Sequence, residues 1–338
     1  MIRIGIVKVG SMGDVLMTTP FLRQLRGGFP DAEIHYHVGS PSAAALEGNP
    51  DLDRIISFDP KIFYEKRWKQ LGEWMRAVSQ QNYDYLFILD KKLPYAIASR
   101  LIRRKRCLGF ARSPLHSFLM DEVVPYGRLR HEVHYYLDLL KPLFEPDYDD
   151  GRMRFGPSLP TMADIPLMED FPAGRPFDVW VNSGGINAKE SGGARRLPPE
   201  LFRRLLEHHV ARGPVVLLGS AGDGAYYESA LGPVPVKNWA GKLTLAQSTA
   251  VMQMARSVIT TDCGAMHLAG CVQDRVIAFF GPTHPARKLP LSGAAVAIWH
   301  DEEIYDDRYE VYGTSPNGAF FHQEDLIFKD FAALLEKF

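Results

Sequence analysis

The sequence predicts an α/β protein built of two Rossmann-like halves, each a parallel sheet flanked by helices. Three observations carry this: a strand-loop-helix-strand opening, a second such series starting near residue 177, and a proline-rich stretch between them. At 338 residues the chain has room for about two domains, each able to bury a core.

The β-branched run Ile2, Ile4, Ile6, Val7, Val9 ends at Gly10-Ser11-Met12-Gly13, and Asp14 then leads a single helical stretch to Arg26. A polar turn at Phe29-Pro30-Asp31 precedes an alternating strand over residues 32–38. Strand, helix and strand at this spacing form a βαβ unit, whose crossover makes the strands parallel. Further strands are predicted at 54–58, 85–89 and 107–110. Prolines at 146, 157, 160, 166, 172 and 176 remove backbone donors, so this stretch reads as a linker, dividing the chain into residues 1–160 and 161–338. Beyond it come strands at 177–181, 214–218, 257–260 and 275–280, with helices from about Pro198, over 245–255 and from Ala265. Two such halves predict sheets facing a central cleft at their strand ends, with the last helix free to pack back on the first half.

The composition is 46% hydrophobic and 23% charged, which excludes extensive disorder and a bundle of membrane spans. A net charge of −1 excludes a basic nucleic-acid-binding protein, although the first 160 residues carry +4 and the remainder −5. Three cysteines without CxxC spacing suggest neither a disulfide framework nor a zinc site. With no signal-like opening, the expected location is the cytoplasm, with peripheral contact to the cytoplasmic face of the inner membrane allowed.

Two constellations carry chemistry. The loop Lys8-Val-Gly-Ser-Met-Gly-Asp14 joins a strand to a helix but has neither GxGxxG nor GxxxxGK[ST], which weakens dehydrogenase and NTPase readings. Asp14 is placed either to cap the helix or to take a proton from an incoming hydroxyl. The second runs Val258-Ile-Thr-Thr-Asp-Cys-Gly-Ala-Met-His-Leu-Ala-Gly270, followed by Phe280-Gly-Pro-Thr-His-Pro285. A helix starting at Gly264 aims its free N–H groups and dipole outward, a ready diphosphate site, with His267 on its first turn.

Together, Gly13-Asp14-Val-Leu, Thr-Asp-Cys-Gly-Ala-Met-His-Leu-Ala and Phe-Gly-Pro-Thr-His-Pro resemble the glycosyltransferase family 9 heptosyltransferases. The similarity extends in order to Asn49-Pro-Asp-Leu-Asp-Arg-Ile55, Cys107-Leu-Gly-Phe110, His131-Glu-Val-His134, Arg195-Arg-Leu-Pro-Pro-Glu-Leu-Phe202 and Leu217-Leu-Gly-Ser220. The resemblance implies a GT-B fold, with acceptor held mainly by the first domain and nucleotide-sugar donor by the second, and inversion at the anomeric carbon without a required metal or resident cofactor. It matches Asp14 to the general base and places Lys8, Ser11, Met12 and Gly13 on the acceptor side. It puts Asp262, Cys263, Gly264 and His267 in the donor-phosphate loop, joined by Ser183 and Gly184, with Asp223 near the ribose contact. Arg195 stands where the family has a lysine meeting the diphosphate; its fork suits a diphosphate better than Lys189, the alternative cation. Cys263 replaces a usual threonine or serine, Leu197 a usual tryptophan, and the segment 186–194 reads as a glycine-containing flap.

The predicted partners are thus a nucleotide sugar, most simply ADP-heptose, and a lipid-linked or oligosaccharide acceptor of the cell envelope. The competing classes are a GT-B epimerase or hydrolase and a non-catalytic nucleotide-sugar binding module. Asp51-Leu-Asp53 and Asp147-Tyr-Asp149 fit a metal-binding pattern only trivially. In the run Phe58 to Met75, aromatics interleave with Lys66, Arg67 and Lys69, a pattern open to a membrane surface. There Trp68, Leu71, Met75 and Val78 fall at helical spacing and are expected to face the core.

Overall fold

The computed structural model describes residues 1–65, 67–169, 171, 175–184, 192–302 and 320–337. The chain divides into two units, Met1–Pro157 and Ser158–Phe338.

The first unit runs β1 (Arg3–Lys8), α1 (Met12–Leu16), α2 (Thr19–Gly28), β2 (Glu33–Gly39), β3 (Arg54–Phe58), α3 (Lys61–Tyr64), α4 (Trp68–Gln80), β4 (Tyr83–Ile88), α5 (Leu93–Leu101), β5 (Arg104–Ala111), α6 (Pro114–Leu119), β6 (Glu122–Pro125) and α7 (Glu132–Asp138). Its six strands are all parallel, in the order β3-β2-β1-β4-β5-β6. The strand order reverses between β1 and β4, and the carboxyl ends at such a switch are where open α/β sheets bind ligands. The helix expected from Asp14 to Arg26 is two helices. Pro20 sits in the first turn of α2 and lacks an N–H to continue the preceding helix. The Thr18 and Thr19 hydroxyls donate to the carbonyls of Val15 and Leu16 at this break, each at 2.7 Å.

One face of this sheet is covered by α4, α5 and the end of α6, through Trp74, Val78, Tyr95, Ala96, Ile102 and Met120. The expectation for α4 needs correction at its start. Its core stripe is Trp74 and Val78, with Leu71 and Met75 packed beside it, whereas Trp68 is the first helical residue, at the edge of that stripe, and is 71% exposed.

The second unit runs β7 (Asp178–Val181), α8 (Pro199–Val210), β8 (Val215–Leu217), α9 (Ala221–Ala230), β9 (Lys237–Asn238), α10 (Leu245–Met254), β10 (Ser257–Thr261), α11 (Gly264–Val272), β11 (Val276–Phe279), α12 (Pro285–Lys288), β12 (Val296–Ile298) and α13 (Glu324–Leu335). Its sheet is again six parallel strands, in the order β12-β11-β10-β7-β8-β9. Trp180, Phe202, Phe279 and Phe331 form its aromatic centre, so the last helix, α13, is part of this unit's own core.

Candidate functional site

In the first unit the candidate side chains gather where β1 and β4 end. Lys8, the last residue of β1, is buried, and its Nζ lies 3.2 Å from Asp90 Oδ1, just past β4. Burial alone would lower the pKa of this ammonium, but the carboxylates of Asp90 and Asp14 outweigh it and hold Lys8 above an ordinary lysine. The second Asp90 oxygen accepts the Val9 N–H at 2.5 Å. Asp14 is half-buried in the first turn of α1, and Ser11, its N-cap residue, donates to Asp14 Oδ2 at 3.2 Å. Met12 and Gly13 are the first residues of that helix. Gly10 leaves room for both groups: a Cβ on it would stand 2.9 Å from Asp14 Oδ2 and from Lys8 Nζ, so a larger residue would displace them.

A second cation lies beside this group. Lys91 pairs with the buried Glu132 at the start of α7, touches Tyr126 Oη at 3.2 Å, and sits 4.3 Å from the Tyr126 ring centre. Burial opposes the Lys91 charge, and Glu132 and Tyr136 outweigh it, holding the ammonium above its usual pKa. Tyr136 is fully buried at the same place, its hydroxyl without a hydrogen-bond partner among the described residues, and burial keeps it neutral. Sequence reasoning missed Asp90, Lys91 and Tyr136. The signal for Asp90 and Lys91 was their position just beyond a predicted strand end.

In the second unit, β10 delivers Asp262 and Cys263 to the start of α11, whose first residue is Gly264. Cys263 is the N-cap residue but its side chain makes no capping bond, and burial pushes its thiol pKa up. The Met266 N–H turns back to the Cys263 carbonyl at 3.1 Å, and the N–H groups before it in this first turn are among those a helix start leaves without an intrahelical partner. His267 lies buried on that turn. Arg195 comes to the same place: its Nη1 is 3.5 Å from the Asp262 carbonyl and 3.7 Å from Asp262 Oδ2. The loop carrying it is fixed by Asn182, whose Oδ1 accepts the Leu197 N–H at 2.8 Å and whose Nδ2 reaches the Leu197 carbonyl at 3.3 Å. Ser183 is tied to the end of β10 by Thr261, whose hydroxyl donates to the Ser183 carbonyl at 2.6 Å, and Gly184 is buried beside it. Lys189 and the flap around it lie outside the described residues, apart from the short turn Gly192–Arg195.

Asp223 sits elsewhere at this sheet edge with both oxygens engaged. One accepts from the Ser220 N–H and hydroxyl at 2.9 and 2.7 Å, closing a capping box on α9. The other takes Arg196 Nη2 at 2.5 Å, and the Arg196 guanidinium lies 4.3 Å from the Tyr226 ring centre. Two adjacent arginines are thus divided, Arg195 toward Asp262 and Arg196 toward Asp223.

The aspartate pairs with a metal-like pattern have other partners. Asp53 accepts the Ile34 N–H at 2.7 Å and pairs with Arg26, Asp51 pairs with Arg154 at 3.0 Å, and Asp147 accepts the Asp149 N–H at 2.9 Å. Among the described residues no group of three or more His, Cys, Asp or Glu could hold a metal ion. A cavity of about 320 Å³ opens where β7 and β10 begin, the opposite edge from Asp262; its Arg256 is bound to Asp178 at 3.1 Å.

The sequence profile of glycosyltransferase family 9 (heptosyltransferase) matches residues 71–312, most of the chain. The protein belongs to glycosyltransferase family 9. This family 9 glycosyltransferase is 25% identical over 315 residues to lipooligosaccharide heptosyltransferase 2 of Haemophilus influenzae, covering 85% of each chain. A glycosyltransferase family 9 structure from Veillonella parvula superposes with a TM-score of 0.75 at 20% identity, over 99% of this chain and 97% of that one. An Escherichia coli heptosyltransferase solved with ADP gives a TM-score of 0.65 at 21% identity, over 89% and 94% of the two chains. The fold is therefore GT-B, two Rossmann-like units with parallel sheets, as the sequence predicted.

Proposed function

We propose that this family 9 enzyme transfers a heptose from an ADP-linked donor to a hydroxyl of a lipid-linked envelope saccharide, inverting the anomeric centre and requiring neither metal nor resident cofactor. The observation that carries the reading is the division of chemistry between the units: a carboxylate beside a buried ammonium in the first, a helix N-terminus beside an arginine in the second. The donor sugar and nucleotide are supported by the names of the relatives, one of which was solved with ADP.

In this reading Asp14 accepts the proton of the acceptor hydroxyl as its oxygen bonds to the anomeric carbon. The carbon–oxygen bond to the diphosphate breaks, and its electron pair leaves with ADP. The Lys8 ammonium lies close enough to Asp14 for their charges to interact. The α11 N–H groups and the Arg195 guanidinium balance the charge that grows on the departing diphosphate, the part a divalent cation plays in other transferases. Lys8, Ser11, Met12 and Gly13 lie on the acceptor side, and Ser183, Gly184, Lys189, Asp262, Cys263, Gly264 and His267 on the donor side. For Asp223 the buried capping arrangement supports a structural role behind any ribose contact.

Incubating the enzyme with ADP-heptose, a lipid-linked saccharide acceptor and EDTA tests this. The reading predicts a product of inverted anomeric configuration by NMR. Heptose release or isomerisation without acceptor would favour the hydrolase or epimerase alternative, and ADP binding without turnover the binding module.

A further inference from the structure

The helices α4, α5 and α6 pack their inner sides on one face of the first sheet; the outer side of α4 is polar after Trp68, with Lys69, Glu73, Arg76 and Gln80 exposed, whereas α5 and α6 expose large apolar side chains. Phe118 is 79% exposed and Trp68 71%, and Leu101 is 66% exposed. Ile97 and Leu101, four residues apart on α5, share one helix face, and so do Leu115 and Phe118, three apart on α6. The two helices pack against each other. Tyr95 of α5 donates to Tyr64 Oη at 2.9 Å, which joins the segment leading into Trp68 to the same layer. Five large apolar side chains thus stand exposed on adjoining helices, and exposed apolar groupings mark interaction surfaces.

Basic residues predominate around them, although Arg104 pairs with Asp121 and Arg106 with Glu122. Residues 91–120 contain eight lysines and arginines and not one aspartate or glutamate. Of these, Lys92, Arg100, Arg103, Lys105 and Arg112 are exposed, and Lys105 pairs with Asp84 at 2.6 Å. We infer that the outer face of α5 and α6, with Trp68, docks on an anionic phospholipid surface, the apolar side chains entering the interface and the arginines meeting headgroup phosphates. An aromatic and aliphatic set rimmed by cations is the composition interfacial helices use. A second copy of the chain fits poorly, because a two-fold contact would set this cationic rim against itself. Among the described residues no helix is long and apolar enough to cross a membrane, so attachment through this face would be peripheral. Trp68 and Leu115 stand at helix starts that follow β3 and β5, the sheet edge that also carries Asp14. That edge is where a lipid-borne hydroxyl would arrive.

The test is sedimentation of the full chain with sucrose-loaded vesicles, either phosphatidylcholine alone or with one third phosphatidylglycerol, without donor or acceptor. It therefore stands or falls apart from the transferase reading. The expected result is about tenfold stronger partitioning to the anionic vesicles, lost in high salt. The double variant Leu101→Ser/Phe118→Ser should lose most binding to both vesicle types, and Arg100→Glu/Arg103→Glu the preference for anionic lipid, with melting temperatures near the parent's. Absence of partitioning by the parent, or equal partitioning by the variants, overturns the inference. So does light scattering that shows a parent dimer which the Leu101→Ser/Phe118→Ser change splits.

Discussion

Lys8 Nζ and Asp90 Oδ1 stand 3.2 Å apart at the ends of neighbouring strands, with side chains only 5% and 11% exposed. The pair sets the electrostatics of Asp14, because it fixes a buried ammonium near that carboxylate while taking up part of its charge. Removing one member of a buried pair leaves the other charge unbalanced. Asp90→Ala is therefore expected to lower unfolding stability by about 3 kcal/mol and to reduce kcat roughly 10- to 100-fold, as Lys8 turns fully to Asp14 and weakens it as a base. Asp90→Asn retains an oxygen for the Val9 N–H and should recover part of the stability without the activity. Urea unfolding and steady-state kinetics read the two effects separately.

Cys263 occupies the N-cap of α11 without capping it. Serine is a preferred N-cap residue and its hydroxyl can accept from the first-turn N–H groups. Cys263→Ser is expected to raise stability by about 0.5–1 kcal/mol, seen as a higher Tm. If those same N–H groups hold the diphosphate, the added hydroxyl competes for them, and calorimetry should show ADP affinity unchanged or slightly weaker, never stronger.

His35 Nδ1 and His37 Nε2 approach the same hydroxyl, Tyr83 Oη, at 2.9 and 2.8 Å. Burial, then the charges of His35 and Arg54, holds His37 down at about 3 from its usual 6.5. The folded protein keeps this ring neutral at pH values where the unfolded chain protonates it. Stability from this site is complete above about pH 6.5 and falls as pH drops toward 3, at a slope of up to about 1.4 kcal/mol per pH unit. In His37→Gln this part of the slope should vanish, which thermal melts between pH 4 and pH 7 would measure as a shallower curve on the order of 1 kcal/mol per unit.

The sheet centres and the loops that follow β1 and β10 were legible because their signals are local. The β-branched residues of β1, the buried run of β10 and the glycine-bounded turns after them name themselves over a few residues. Short edge strands did not: β9 has two residues and β12 three, too few for an alternation to show. The break between α1 and α2 was signalled by Pro20, which the continuous helical reading overrode. Long-range partners stayed hidden, since Lys91 and Glu132 lie 41 residues apart and Arg196 and Asp223 27 apart, and only folding brings them together. Trp68 misled for another reason: its helical spacing matched the core, but spacing cannot tell a first-turn residue at the stripe's edge from one over the sheet.

The most direct measurement compares Asp14→Asn with the parent enzyme in two assays, transfer to a lipid-linked acceptor and ADP binding by calorimetry. Loss of the proton acceptor should cut turnover by about 10²- to 10⁴-fold and leave ADP affinity within about a factor of two. Turnover near that of the parent, or ADP binding lost together with activity, would contradict the assignment of Asp14 as the group that deprotonates the acceptor.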